Sequence, residues 1–373
     1  MSVNQTMYDV TLAQATNLIR LIGSTNTVLV QGHIGSGKSS ILKELAKLMP
    51  THRAVYFDCT TKDLGDITIP KINDAMGDDA ECVRYIPNEE LGLHLEGPII
   101  LMIDEFGKAN PAVKNAMLRL MLERTGANKK LHRDSIIFAT TNLGAEGVGD
   151  LLQAHARNRI TVIKMGKGTT QEWVDNYAVY NDIDPIVISW ALENPQIFDT
   201  FENCDKPEDN ENIYHPKAVA RTSFVTHRTL ELSSHIIKKR EHMSSTELTA
   251  ALMGTVGVRA AADLSAYTKI AEQVTRLDDI KNTPREAKVP ENKTALCMVV
   301  HRAIQTVERS WAEAWMTYMD RLPKEAQAMF ANAVRRAAEK QGSNNRRLVE
   351  MTTNKKYQEW CLANNYIFAA DKK

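Results

Sequence analysis

The chain has 373 residues, enough for two or three domains with sizeable hydrophobic cores. Its 46 lysines and arginines equal its 46 aspartates and glutamates, so the total charge does not predict a nucleic-acid-binding protein. The five cysteines include no C-x-x-C pair, which argues against a zinc site and against a disulfide framework. No apolar run is long enough to cross a membrane and the first residues lack a secretory signal pattern, so we expect a cytoplasmic protein.

The first predicted elements surround a glycine-rich loop. Apolar residues at helical spacing predict an amphipathic helix over residues 8–22, and the apolar run 27–30 predicts a buried strand. Residues 32–39 then read Gly-His-Ile-Gly-Ser-Gly-Lys-Ser, which matches the phosphate-binding pattern G-x-x-x-x-G-K-[ST] at every required position. A helical pattern over 40–48 follows directly, so the motif has the strand–loop–helix context that it requires.

This loop has the chemistry to bind nucleotide phosphates. Its glycines let successive backbone N–H groups face one anion, and the positive end of the following helix adds to the attraction. Lys38 is expected to reach the β- and γ-phosphates, and the Ser39 hydroxyl is expected to ligate Mg²⁺. A chance glycine-rich turn is the alternative, and the flanking elements argue against it. The predicted nucleotide-binding residues are Gly32, His33, Ile34, Gly35, Ser36, Gly37, Lys38, Ser39 and Ser40.

Two carboxylates end a later strand. Residues 52–59 predict a second strand, and residues 60–97 are interrupted by glycines and prolines, which predicts loops with a helix among them. The apolar run 98–103 predicts a third strand, followed by Asp104 and Glu105. Because open α/β sheets bind ligands beyond the carboxyl ends of their strands, we expect Asp104 to hold the Mg²⁺ shell through water and Glu105 to polarise the attacking water. A solvated acidic turn is the alternative reading of these two residues alone.

A fourth strand and a fifth strand complete the predicted sheet. Residues 112–124 predict a helix, and residues 135–142 predict a buried strand that ends in Asn142. Asn142 is expected to hydrogen-bond the γ-phosphate or the attacking water, or else to cap the next turn. The alternation of strands and helices predicts an α/β fold with a mainly parallel, five-stranded sheet that helices cover on both faces.

Two arginines precede the last strand of this region. Arg157 and Arg159 come directly before the apolar run 160–163. An arginine at such a junction can act in a neighbouring subunit as a finger that neutralises transition-state charge. Isolated arginines are more often ordinary surface residues. After residues 166–168 the sequence reads almost entirely as helices.

The order and spacing of Lys38, Asp104, Glu105 and Asn142, extended by the two arginines, resemble those of an AAA+ ATPase with its P-loop NTPase core. More closely, the chain resembles the MoxR branch of that family over roughly residues 8–290. The stretches that carry this resemblance are 63–66 (DLGD), 104–109 (DEFGKA), 140–142 (TTN), 224–231 (FVTHRTLE), 255–257 (TVG) and 260–262 (AAA).

The resemblance implies further roles. Arg228 is the expected sensor 2 arginine, reaching from a helical lid domain to the γ-phosphate of its own subunit. Arg159 is the expected finger for a neighbouring subunit, with Arg157 as the second choice. Residues 58–98 are expected to include a helix 2 insertion that faces the pore of a ring, usually of six subunits. Members of this branch often act as chaperone-like remodellers with a protein partner that carries a von Willebrand factor A domain.

Three positions depart from the pattern of the family. His227 stands where a proline often precedes the sensor 2 arginine, and Leu143 stands where a proline often follows the sensor 1 asparagine. The hairpin before the sensor 1 strand is predicted to be short, since residues 126–131 leave little room for it.

The sequence therefore predicts three regions and one leading function. The regions are an AAA+ nucleotide-binding domain over 1–165, a helical lid over 166–255 and a C-terminal helical region over 256–373. The leading function is ATP hydrolysis, with Mg²⁺, in a homo-oligomeric ring that remodels or assembles a protein partner. The residues expected to take part in catalysis are Glu105, Asn142, Arg159, Arg157 and Arg228.

Two other functions remain open at this point. A motor or loader that acts on nucleic acid is favoured by the basic segments 238–240 and 335–336 and by the basic C-terminal tail. Solvated helix faces are the simpler interpretation of those segments in a chain of zero net charge. A scaffold that binds ATP and hydrolyses it slowly is the second alternative, and the presence of Glu105 argues against it.

Overall fold

The computed structural model of the chain describes residues 8–71, 84–127, 129–143, 158–218, 220–272, 274–339 and 346–365. The chain divides into two compact units, Met1–Gly168 and Thr169–Lys373. The first is an α/β unit, and the regular elements described in the second are all helices. The further division of the helical half at residue 255 stays a prediction.

A parallel sheet forms the centre of the first unit. Six strands pair in the order β1-β10-β2-β9-β6-β3, and every pairing between them is parallel. The other four form two small antiparallel pairs, β4 with β5 and β7 with β8. The described strands are β1 (Asp9–Val10), β2 (Val28–Gly32), β3 (Arg53–Asp58), β4 (Thr68–Lys71), β5 (Arg84–Pro87), β6 (Ile99–Asp104), β7 (Thr125–Gly126), β8 (Lys129–Lys130), β9 (Ile136–Thr141) and β10 (Thr161–Met165).

The predicted parallel sheet is confirmed in its five long strands, and one short strand was missed. The helix predicted over residues 8–22 includes residues 9–10, but these two residues pair with β10 at the edge of the sheet. The helix begins only at Leu12 because Thr11 caps it: the Thr11 hydroxyl accepts from the Gln14 N–H, and the Gln14 side chain accepts from the Thr11 N–H. The chain before this cap is therefore extended and free to join the sheet.

Helices cover both faces of the sheet, as the sequence predicts. Helix α1 (Leu12–Ile22) and helix α2 (Ser40–Leu48) pack on one face, and helix α3 (Pro111–Glu123) packs on the other. Alternate residues of the central strands enter two separate cores. The first core contains Val28, Val30, Ile100, Met102 and Phe138 with Ile19 and Leu45, and the second contains Leu29, Leu101, Ile103 and Ile137 with Val113 and Met117. Each of these fully buried side chains contributes about 1.5–3 kcal/mol.

The second unit packs its helices around one hydrophobic core. The core extends from Trp173 to Trp360, and Trp190, Trp315 and Phe330 are among its largest fully buried side chains. Within the described part of the chain, no helix is both long and apolar enough to cross a membrane. The described helices of this unit are Thr170–Asn176, Pro185–Glu193, His227–Lys238, Ser245–Val256, Val258–Glu272, Leu277–Asn282, Lys293–Thr306, Ala312–Met319, Lys324–Glu339, Arg346–Glu350 and Lys355–Ala363.

A histidine lies inside this core without polar contacts. His301 is 3% exposed, and neither of its ring nitrogens has a hydrogen-bond partner among the described residues. Burial lowers the pKa of His301 to about 4, because the protonated ring would lose its hydration. The unfolded chain takes up this proton near pH 6.5, so unfolding binds a proton between these two values. The contribution of the neutral His301 ring to the free energy of unfolding is therefore fully present above about pH 6.5. It is lost as the pH falls toward 4.

We expect acid sensitivity of the helical unit to depend on His301. All five tryptophans lie in this unit, so their fluorescence reports its unfolding. Between about pH 7 and pH 5 the parent chain should lose about 2 kcal/mol more unfolding free energy than the His301→Leu variant. Urea titrations at the two pH values measure this difference. The exposed His235 provides the control, since His235→Leu should leave the pH dependence of the parent unchanged. Equal acid losses in parent and His301→Leu would contradict the assignment.

Candidate active site

The glycine-rich loop connects β2 to α2, as predicted from its sequence. Gly35 and Gly37 adopt φ angles of 74° and 89°, which residues other than glycine rarely adopt. Ser39 lies at the N-terminus of α2 but its side chain does not cap the helix. Its hydroxyl instead approaches Oδ2 of Asp104 at 3.4 Å. The loop thus leaves a hydroxyl beside a carboxylate at the helix start.

The end of β2 has no room for a side chain. A Cβ atom on Gly32 would lie 2.9 Å from the carbonyl oxygen of Met165 and 3.0 Å from Oγ of Ser36. The Ser36 hydroxyl is buried and has no hydrogen-bond partner among the described residues. A buried hydroxyl costs free energy when it forms no hydrogen bond. A phosphate oxygen bound in this loop could accept a hydrogen bond from Ser36, so the unpaired hydroxyl fits a phosphate-binding role.

Lys38 joins the loop to the end of β9. It is 8% exposed, and its Nζ donates to the carbonyl oxygens of Gly32 and His33 at 2.9 and 2.8 Å. A third bond, of 2.9 Å, reaches Oδ1 of Asn142, the residue that follows β9. The structure therefore brings together two of the predicted residues that are 104 positions apart in the chain.

Asp104 ends β6 and receives hydrogen bonds on both carboxylate oxygens. Oδ1 accepts from the Thr140 hydroxyl and from the Glu105 N–H. Oδ2 accepts from the Tyr56 hydroxyl at 3.0 Å and contacts the Ser39 hydroxyl. Tyr56 belongs to β3 and Thr140 belongs to β9, the two strands that flank β6. The central position of β6 therefore explains how donors on both sides fix this carboxylate.

The sequence did not assign Tyr56 to the site. In the sequence, Tyr56 is marked only by its position near the end of a predicted strand. This position points to the site only when the pairing of β3 with β6 is known. Burial, together with the charge of Asp104, raises the pKa of Tyr56 well above its usual value. The hydroxyl therefore stays protonated and acts as a donor near neutral pH.

The backbone leaves the extended conformation of β6 at Glu105. Its φ angle of 52° lies in the left-handed region, which costs a residue other than glycine of the order of 1 kcal/mol and often marks functional sites. Its Oε2 accepts from Nζ of Lys108 at 2.9 Å and from Nδ2 of Asn142 at 3.5 Å. Asn142 therefore contacts both Lys38 and Glu105.

The residues present fit a nucleotide with a hard cation. Among the described residues, no three His, Cys, Asp or Glu side chains are grouped to hold a metal ion. Magnesium is usually held by one or two protein oxygens while water and phosphate complete its shell. Ser39 and Asp104, in contact beside the loop, match that pattern.

Of the three predicted arginines, the structure describes Arg159 and Arg228. Arg159 is exposed in the turn before β10, and Arg157 lies outside the described residues. Arg228 is exposed in the first turn of the helix His227–Lys238, in the second unit. His227, at the position of the family's proline, stacks on Trp173 with ring centroids 6.2 Å apart. The roles of these arginines stay predictions.

We expect Gly32→Ala to weaken nucleotide binding about tenfold. The added methyl group would press on a backbone carbonyl and on Ser36, and overpacking of this kind costs about 1–3 kcal/mol. Titration with a fluorescent ATP analogue measures the dissociation constant. Gly97→Ala is the matched control, since nothing lies within 4 Å of its added Cβ atom. Unchanged binding by Gly32→Ala would show that the loop does not require this close approach.

Comparison with known proteins gives a family for the α/β unit. No curated protein matches the sequence. Among solved structures, a point mutant of RuvB from Thermotoga maritima is 14% identical over 74% of each chain, with a TM-score of 0.35. The "Thermotoga maritima RuvB Holliday junction branch migration motor" is 16% identical over 78% of this chain and 94% of its own, with a TM-score of 0.34. Likenesses at this level carry no information on what the chain acts on.

The match that does bear on activity lies within the first unit. Residues 28–165 match the family described as "ATPase family associated with various cellular activities (AAA)". This range begins at β2 and ends at β10, so it includes the loop, both carboxylates and Asn142. Residues 28–165 are therefore an AAA ATPase domain, and the activity of such a domain is the hydrolysis of ATP.

Proposed function

We propose that this chain works as a MoxR-like remodeller, in which a ring of identical subunits couples ATP hydrolysis to conformational change in a protein partner. The observation that carries the catalytic part is the contact of Asn142 with both Lys38 and Glu105. This asparagine links the ammonium group that would bind phosphate to the carboxylate that would act on water. The two groups can therefore respond together to the γ-phosphate.

Each residue of the site has a distinct part in this proposal. Lys38 and the backbone N–H groups of the loop bind the β- and γ-phosphates. Ser39 and Asp104 would hold Mg²⁺, which supplies charge neutralisation at the phosphate oxygens when bound. Glu105 accepts hydrogen-bonding from the attacking water and polarises it, while Asn142 orients that water or the γ-phosphate.

A neighbouring subunit supplies a further positive charge in this proposal. The transferred phosphoryl group carries charge that must be stabilised in the transition state, and Lys108 is engaged with Glu105. Arg159 is exposed in the turn before β10, so its guanidinium is available to another chain. Hydrolysis then requires assembly, usually of six subunits in this branch, while nucleotide binding does not.

One surface feature favours a protein partner. The pair β4–β5 lies in the segment expected to face the pore, and it exposes about half or more of Ile69, Tyr85 and Ile86. Exposed apolar side chains grouped on one small sheet are typical of protein contact sites. A partner with a von Willebrand factor A domain is the one that the resemblance to the MoxR branch implies.

The described basic segments give little support to a nucleic-acid motor. Lys238 pairs with Asp182 at 2.6 Å, and Arg240 lies 3.7 Å from Asp184. In the last long helix, Arg336 pairs with Asp175 and Arg335 lies 3.9 Å from Glu339. Neighbouring carboxylates offset these charges, whereas phosphate backbones are bound by basic surfaces with an excess of positive charge. Residues 366–373, the basic tail, lie outside the described residues.

We expect Arg159→Ala to lower ATP turnover about a thousandfold while the affinity for ATP changes little. A finger acts on transition-state charge and contributes on that scale to kcat. Steady-state hydrolysis and binding of a fluorescent ATP analogue separate the two effects. Arg133→Ala, at another exposed arginine of the same unit, should behave like the parent. Full turnover by Arg159→Ala would remove this residue from the site.

Mixed rings test whether the arginine acts between subunits. Arg159→Ala subunits retain Glu105, and Glu105→Gln subunits retain Arg159. A mixture of the two should therefore regain part of the activity that each lacks alone. If the mixture stays as inactive as its components, Arg159 does not complete a neighbour's site.

The Glu105→Gln variant should identify the partner. The amide no longer polarises water while the phosphate site survives, so the ring stays in its ATP-bound state. We expect a tagged Glu105→Gln chain with excess ATP to retain a von Willebrand A-domain protein from native lysate, and to lose it when Lys38→Ala is added. Recovery of nuclease-sensitive nucleic acid instead would replace the protein-remodelling function with the nucleic-acid alternative.

A further inference from the structure

We propose that the Tyr56 hydroxyl positions Asp104 and thereby sets the Mg²⁺ concentration that this site needs to bind ATP as its magnesium complex. Tyr56 is a positioning residue in this inference and does not itself touch the metal or the nucleotide. The inference rests on the function proposed above, in which Asp104 belongs to the metal shell.

The hydrogen bonds to Asp104 divide between its two oxygens. Oδ1 is fixed from the protein interior by Thr140 and by the Glu105 N–H. Oδ2 contacts the Ser39 hydroxyl at 3.4 Å, which is a weak bond, and receives a shorter bond of 3.0 Å from Tyr56. Oδ2 is therefore the oxygen beside the expected metal ligand Ser39, and Tyr56 is its strongest partner.

The strand register explains why a tyrosine has this role. Asp58 lies directly opposite Asp104 in the pairing of β3 with β6, and Tyr56 lies opposite Met102. The Asp58 carboxylate turns to its own loop, where Oδ1 accepts from the N–H and hydroxyl of Thr60. Two residues of strand span about 6.6 Å, a distance that a phenol side chain can cover along the same face. Tyr56 thus reaches the carboxylate that its neighbour Asp58 does not contact.

Loss of this bond should leave Oδ2 poorly fixed. The terminal torsion of an aspartate is broad, so a carboxylate held on one oxygen can rotate about its Cβ–Cγ bond. A hydrogen bond to a charged group contributes more than one between neutral groups. Partners that orient metal ligands typically change metal affinity by about 10–100-fold when they are removed. Tyr56 is also half exposed, so its substitution does not disturb a packed core.

The Tyr56→Phe variant tests the inference because it removes the hydroxyl alone. Binding of a fluorescent ATP analogue is measured over a range of Mg²⁺ concentrations and again in excess EDTA. We expect the Mg²⁺ concentration for half-maximal binding to rise about tenfold, while affinity in EDTA equals that of the parent. Binding of Mn²⁺ to the complex, followed by electron paramagnetic resonance, should weaken by a similar factor. Tyr8→Phe, at another exposed tyrosine of the same unit, is the control and should change neither value.

Asp104→Asn separates this inference from the function on which it rests. If Asp104→Asn leaves the Mg²⁺ dependence unchanged, the proposed role of Asp104 in the metal shell is wrong. If Asp104→Asn shifts the dependence and Tyr56→Phe matches the parent, the role of Asp104 stands and that of Tyr56 is wrong. An equal loss of affinity with Mg²⁺ and in EDTA by Tyr56→Phe would also overturn the inference, since it would indicate a general structural effect.

Discussion

The carboxyl ends of four parallel strands meet at one edge of the sheet, and the site depends on this constraint. Strand β2 delivers the loop with Lys38, β9 delivers Asn142, β6 delivers Asp104 and Glu105, and β3 delivers Tyr56. The buried bond from Lys38 to Asn142 holds the first two together. Since all these strands run in the same direction, side chains that are far apart in sequence become neighbours at this edge.

In this unit the hydrophobic cores fix the sheet, and the polar edge of the sheet carries the side chains of the site. Val30, Met102 and Phe138 fill one face of the sheet, while Leu29 and Leu101 fill the other. These close-packed faces fix the strand register, and the register then fixes where polar side chains meet. The left-handed Glu105 shows that packing can hold a costly backbone conformation at the edge. A rigid sheet thus supports a site whose polar bonds can exchange when phosphate binds.

The helical unit is organised by burial and by paired charges. Its tryptophans pack into a single core, and the basic residues Arg240 and Arg336 lie beside carboxylates. These two ion pairs offset the charges of Arg240 and Arg336, in keeping with the zero net charge of the chain. Several buried polar atoms of this unit, among them both ring nitrogens of His301 and the Ser189 hydroxyl, have no hydrogen-bond partner among the described residues. The apolar surroundings of His301 favour its neutral form.

The sequence by itself determined the fold class, the five long parallel strands and the residues of the phosphate-binding loop. It could do so because hydrophobic periodicity and a glycine-rich motif are local signals. The tertiary structure alone decided the strand order, and with it the bonds of Tyr56 and Thr140 to Asp104. It also placed the short strand Asp9–Val10, since a two-residue strand has no periodicity of its own and exists only through its pairing with β10. The order of the strands depends on long-range packing between the sheet and its helices. Local sequence patterns do not contain this information.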